Sequence, residues 1–232
     1  MRERIQLLCV WSGPVFLLLY VLAFAGMAGY IPPHSPMLSV DEIVAFYDAN
    51  RNMIRGGQLL GLVFSVLLFP WFAIISAQMA RIEGRTPVLA IMQFGGGALL
   101  IVFFIICSMM WEIAAFRADT DPNIIRMLHE GSWLVFVMVY PAYSLQMICI
   151  ALAGFMDKRA DPWLPRWFCY FHLWVAASAI GGGFATFFKT GPFAWNGLFG
   201  FWVPVLFFVA WLFLLAPRLA LEVKRRALED AV

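Results

Sequence analysis

Apolar and polar positions divide the chain into six long apolar runs separated by short polar connections. The runs are Leu7–Gly29, Gln58–Ala80, Pro87–Trp111, Ser132–Met156, Trp167–Phe188 and Gly197–Pro217, and none contains Asp, Glu, Lys or Arg. A hydrocarbon core ~30 Å thick needs about 20 apolar residues at a rise of ~1.5 Å each, so every run is long enough to cross it. The ten-residue alternation of a membrane β-barrel strand is absent. The pattern predicts an all-α, polytopic integral membrane helical bundle: one domain over residues 1–232, with six transmembrane helices arranged as three hairpins.

The first run invites comparison with a signal peptide, because Met1-Arg2-Glu3-Arg4 precedes it and Ala23-Phe24-Ala25 resembles a cleavage site. The run is long, contains Pro14 and continues past that site, so it is expected to remain as a span. Orientation follows from the Lys and Arg bias. With the N-terminus inside, the inner segments hold eleven of these residues (2, 4, 81, 85, 158, 159, 166, 218, 224, 225, 226) and the outer segments five (51, 55, 117, 126, 189). Both termini are therefore expected in the cytoplasm of a multi-pass plasma (inner) membrane protein.

The polar connections carry patterns of their own. Ser39-Val40-Asp41-Glu42 is an S-x-x-E capping box, followed by an apolar face at Val40, Ile43, Val44 and Tyr47. Thr120 or Asp121 followed by Pro122 repeats the signal before Ile124, Ile125 and Leu128. Both predict short amphipathic helices in the outer loops, lying on the membrane surface or on other loops. The inner loops are short and basic: Arg81–Thr86 is a tight turn, and Asp157–Arg166 carries Pro162 and Pro165 with Trp163 and Trp167 as interface anchors. The tightest hairpin, Ile180–Pro204, holds Gly181-Gly182-Gly183, Lys189, a Gly-Pro turn and Trp195-Asn196. Spans running outward carry glycines (Gly26 and Gly29, Gly95–Gly97, Gly181–Gly183), and returning spans each carry a proline (Pro70, Pro141, Pro204). The glycine triplets are expected to let helix backbones approach closely.

Composition agrees with the spans. Hydrophobic residues make up 63% and charged residues 13% of the 232, against roughly 45–50% and about 25% in soluble domains, and mean hydropathy is +0.83. The net charge of +2 gives no nucleic-acid footprint. Cys9, Cys107, Cys149 and Cys169 all fall inside apolar runs without a CxxC pair, so neither a disulfide framework nor a zinc site is expected.

Polar residues at membrane depth are the candidates for chemistry. On the outer side these are Glu112, Arg117, His129, Glu130, Lys189 and Asn196, beside Trp111, Trp133 and Trp195. They are expected either to form a small pocket with aromatic walls and orienting charges, or to pin the loops through a carboxylate–lysine ion pair. His129 and Trp133 would share a helix face if Gly131 does not break the helix. A second candidate cluster lies toward the cytoplasm: Gln93 (~9 Å deep), Gln146 (~15 Å) and His172 (~8 Å), with Tyr170. It is expected to line a cavity or to supply interhelical hydrogen bonds.

Catalytic patterns are missing. His34, His129 and His172 lie in separate segments with no HxxxH or HxxE spacing, and there is no GxSxG, P-loop or dinucleotide fingerprint. No cofactor or metal is expected, and no catalytic residue is assigned. The reading favoured is a non-enzymatic accessory or binding protein presenting the outer pocket to a lipid, another apolar ligand or a partner subunit, with membrane lipids, a membrane-protein partner or a second copy of the chain as partners. The alternative is a small transporter or facilitator of an uncharged substrate. An enzyme using Glu112, His129 or Glu130 ranks third.

Overall fold

The structure, a computed structural model, describes residues 2–229. Eight α-helices account for most of that length: α1 (Arg2–Val21), α2 (Val40–Ser65), α3 (Leu68–Glu83), α4 (Val88–Phe116), α5 (Pro122–Met138), α6 (Tyr140–Met156), α7 (Arg166–Gly183) and α8 (Val203–Glu229). Two π-helical segments, Leu22–Met27 and Leu198–Trp202, extend α1 and precede α8. No strand occurs among the described residues. Only two residues separate α2 from α3 and one separates α5 from α6, so the eight helices form six rods. Five of the rods are long and apolar enough to cross a membrane; α7, 18 residues long, is not among these.

α4 is the central rod, packed against α2, α3, α5 and α6, while α1 leans on α3 and α8, and α7 on α6 and α8. Its position fits its sequence, since one face of α4 buries Gln93, Gly96, Gly97, Leu100, Cys107 and Trp111. The turn into it is set by α3. Glu83 accepts the main-chain N–H groups of Leu89 (2.7 Å) and Ala90 (2.8 Å), capping the free donors at the start of α4.

The prolines of the returning spans explain why two of them are broken. Pro70, Pro141 and Pro204 all stand in the first turn of a helix, just past an interruption at residues 66–67, at Val139 and over the π-helical segment 198–202. Proline supplies no N–H to the carbonyl four residues back. For Pro141 that carbonyl is Val137, and Gly182 of α7 packs against it so closely that a Cβ would lie 2.2 Å from the oxygen. Gly96 meets Ala142 O in the same way, at 2.9 Å from an added Cβ. These glycines let backbones touch, as expected of small residues in membrane helices.

The loop helices expected on the outer side differ in one respect. The Ser39–Glu42 capping box forms, and Asp121 caps Asn123 N with Pro122 in the first turn. However, neither helix stops: α2 runs on to Ser65 and α5 to Met138. Gly56 and Gly57 are carried inside α2, and Gly57 fits against Ala23 O, 2.5 Å from where a Cβ would stand. Gly131 is likewise carried inside α5, with the Met110 methyl against it. The amphipathic stretches are the first turns of long helices, not separate surface elements.

At the opposite end, the basic tail is engaged by carboxylates. Glu222, buried on α8, accepts Arg159 Nη1 (2.8 Å) and Arg226 Nε (2.9 Å) and pairs with Arg225 Nη2 (2.6 Å). Asp157 holds Arg159 at 2.6 Å, so the α6–α7 connection is bolted to α8.

Candidate functional site

The loop from Ala28 to Ser39, the first turns of α2 and α5, the end of α4 and the corner before α8 meet at one end of the bundle. Their contacts are mostly aromatic. Tyr30 stacks on Trp111 with centroids 4.7 Å apart, and Trp133 meets Trp111 edge-on at 5.3 Å. The ring of His34 lies nearly parallel to that of His129, at 5.3 Å and 19°.

A hydrogen-bonded file threads these rings. Trp133 Nε1 donates to His129 Nε2 (3.2 Å), Tyr47 Oη lies 3.2 Å from His129 Nδ1, and Tyr30 Oη donates to Tyr47 Oη (3.2 Å). An indole N–H only donates, so His129 Nε2 must be the acceptor and the ring proton sits on Nδ1, facing Tyr47. The same logic fixes His172, fully buried near the other end. Trp211 Nε1 donates to His172 Nε2 (3.1 Å), and Nδ1 donates to the Phe168 carbonyl (2.7 Å). Both histidines have both ring nitrogens engaged by the fold, so neither offers a free lone pair to a ligand or substrate.

His34 is different. It lies in a loop outside the helices, its main-chain carbonyl accepts Trp195 Nε1 at 2.8 Å, and its Nδ1 is buried without a partner. Burial lowers its pKa from the ordinary histidine value, partly countered by a hydrogen bond to the Gly29 backbone.

The residues predicted for the outer pocket separate into two groups. His129, Trp133 and Trp195 are buried and joined through His34. None of the charged members is hydrogen-bonded to these three among the described residues. Lys189 is exposed, Arg117 is exposed and lies over the Phe116 ring (5.6 Å), and Glu112, Glu130 and Asn196 are half-buried. Among the described residues the ion pairs within 4 Å involve none of Glu112, Glu130 and Lys189. The members missing from the sequence reading are Tyr30, His34 and Tyr47. Tyr47 already stood on the apolar face that follows the capping box, which was the available signal; His34 gave none.

In the second predicted cluster, Gln93 Nε2 donates to Gln146 Oε1 (3.4 Å), and Ser76 Oγ donates to Gln93 Oε1. This joins α3, α4 and α6. Tyr170 is 58% exposed and packs on Phe155, and His172 belongs to the Trp211 pair, so neither lies in the glutamine network.

Two apolar cavities lie below the aromatic end. One, about 90 Å³, is lined by residues including Leu100, Phe104, Tyr143, Ala179 and Pro204. The other, about 100 Å³, is lined by residues including Phe16, Tyr20 and Phe24. They adjoin: Phe104, Phe136, Phe201, Val205 and Phe208 line both. Phe24, Phe136 and Phe201 also contact the Trp133 ring, at 6.0, 6.3 and 6.1 Å, so the cavity walls and the histidine file share side chains. Comparison with family profiles, with curated proteins and with solved structures finds no match.

Proposed function

We propose that this chain is a membrane binding protein whose ligand is an apolar chain, in first place the hydrocarbon of a lipid, held in the two adjoining cavities beneath the Trp133–His129–Tyr47 file. The observation that carries this reading is the lining: phenylalanines dominate the shared wall, and the only hydroxyls at the margins belong to tyrosines. An apolar cavity stays dry and takes apolar guests, and a protein crossing a bilayer is surrounded by hydrocarbon. The six-span arrangement, with α7 as a short fifth crossing and both termini in the cytoplasm of an inner-membrane protein, belongs to the same proposal; it is supported by the Lys and Arg bias. A membrane-protein partner or a second copy would be recruited on top of lipid binding.

The facilitator alternative has one supporting feature, the intramembrane Ser76–Gln93–Gln146 network, in which Gln146 Nε2 is left without an acceptor. It is the weaker reading because the glutamine side chains occupy each other. An enzyme at the aromatic end is weaker still, since general acid–base work requires a free proton site within reach of substrate, and both nitrogens of His129 are committed.

Photo-crosslinking tests the proposal. The protein is reconstituted with a phospholipid carrying a mid-chain diazirine, irradiated, digested and mapped. Adducts are expected at Phe104, Phe136 or the Phe201–Phe208 stretch, and filling the cavities with Val205→Trp should remove them. Adducts confined to outward side chains such as Leu18 and Val63, unchanged in Val205→Trp, would overturn it.

A further inference from the structure

The connection between α6 and α7 folds inward at Trp163 for a definable reason. Asp157 accepts the main-chain N–H of Trp163 (2.9 Å) together with Arg159 Nε (2.8 Å), which curls the segment around one carboxylate. Trp163 is consequently 3% exposed, although it stands in a short polar loop between Pro162 and Leu164. Its indole N–H is buried and has no acceptor. An unpartnered buried donor is costly.

Beside it lies a cleft of about 80 Å³, lined by residues including Asp161, Trp163, Arg218, Leu221, Glu222 and Arg225. Its character is opposite to that of the phenylalanine cavities: charges of both signs face one small space. Arg225 Nη1 donates to Asp161 (3.0 Å); Nη2 lies 2.6 Å from a Glu222 oxygen as an ion pair without hydrogen-bond geometry, and Nε has no acceptor, with Glu229 Oε1 3.8 Å away. Arg218 is exposed and forms no ion pair within 4 Å among the described residues. The unused donors are thus Trp163 Nε1, Arg225 Nε and the Arg218 guanidinium. On the acceptor side, Asp161 keeps its carboxylate 88% exposed.

We infer that this cleft binds a phosphate that carries a primary ammonium, the headgroup chemistry of phosphoethanolamine, with the phosphate on Trp163, Arg218 and Arg225 and the ammonium on Asp161. A purely anionic ligand would meet Asp161 and Glu222 at close range, and a cation alone would leave the three donors unused. Paired charges on adjacent atoms match both. Leu221, in the cleft wall, is 62% exposed, and Leu214 and Phe213 continue an exposed apolar face along α8. That face offers a path for acyl chains, so the lipid is favoured over the free headgroup.

Native mass spectrometry of the full chain tests this, with phosphatidylethanolamine, phosphatidylcholine and phosphatidylglycerol of identical chains supplied in competition. The ethanolamine lipid should be retained about tenfold over either competitor, the worth of roughly one charge-assisted contact. Trp163→Phe, which keeps an aromatic ring and removes the N–H, and Arg218→Gln should each lose that retention at unchanged helical circular dichroism. Asp161→Asn should abolish discrimination against the choline lipid. Soluble phosphoethanolamine binding with the same sensitivity to the variants supports the site and makes the free compound the ligand; its failure to bind makes the lipid the ligand. Equal retention of the choline lipid by the native chain, preference for the glycerol lipid, or indifference to both Trp163→Phe and Arg218→Gln overturns the inference.

Discussion

Trp211 on α8 donates its indole N–H to His172 on α7 at 3.1 Å, and both side chains are fully buried. Trp211→Phe would leave His172 Nε2 without a donor and open space where the larger indole packed. We expect a loss of about 1–3 kcal/mol, the cost of an unsatisfied buried acceptor. That exceeds the ~0.6 kcal/mol average for hydrogen bonds between membrane helices, because no water reaches this one. Reversible unfolding in mixed micelles measures it. The double variant Trp211→Phe, His172→Phe should recover part of the loss, and a single variant as stable as the native protein would contradict the assignment.

Two glycines offer a contrast. An added Cβ at Gly182 would stand 2.2 Å from Val137 O, whereas at Gly95 it would meet nothing within 4 Å. Gly182→Ala should therefore force α7 from α5 and sharply lower the thermal midpoint. Gly95→Ala should be neutral or stabilising by ~0.5–1 kcal/mol through helix propensity. A melt that ranks the two the other way would refute the packing described.

The Asp157 carboxyl titrates at about 2. Burial raises it, but the Arg159 side chain and the backbone N–H groups of Trp163 and Arg159 outweigh burial and depress it below the ordinary aspartate range. Its contribution to stability is therefore fully present above the unfolded-state pKa, near 4, and disappears as pH falls toward 2. The native protein should lose thermal stability over that interval, while Asp157→Asn should start lower and show a flatter acid dependence. Parallel slopes in the two proteins would remove Asp157 from this role.

Orientation can be read with a membrane-impermeant maleimide after replacing the four native cysteines. Asp119→Cys should label in intact cells, and Asp161→Cys only after permeabilisation. The reverse pattern would invert the proposed topology while leaving the bundle unchanged.

Much of this fold was legible in the sequence because its determinants are local. Six apolar runs correspond to six rods, the Ser39–Glu42 box opens α2 where its residues specify, and Asp121-Pro122 opens α5. The continuation of those helices was not legible, because Gly56 and Gly57 stand just before the apolar run that starts at Gln58, and their close fit against the first rod is a tertiary contact. The candidate site divides similarly. His129 and Trp133 are one turn apart, and their bond follows from helix geometry once Gly131 is carried through. The pairing of His172 with Trp211, and the stacking of His34 on His129, join separate helices and loops through tertiary packing that no spacing records. The carboxylate–lysine ion pair expected of the outer charges does not form among the described residues, since Lys189 is exposed and has no carboxylate within 4 Å.

The Trp195–His34 hydrogen bond joins the first long connection of the chain to its last corner, 161 residues apart. During synthesis His34 emerges long before Trp195, so the aromatic end must wait, with its first loop unclasped, until the closing hairpin arrives. Assembly of this end is therefore timed by the arrival of the corner before α8: a ribosome-bound product ending with α7 would have every earlier helix and still lack the clasp. Truncation or a stalled insertion should be sensed first at His34, far in sequence from the missing segment.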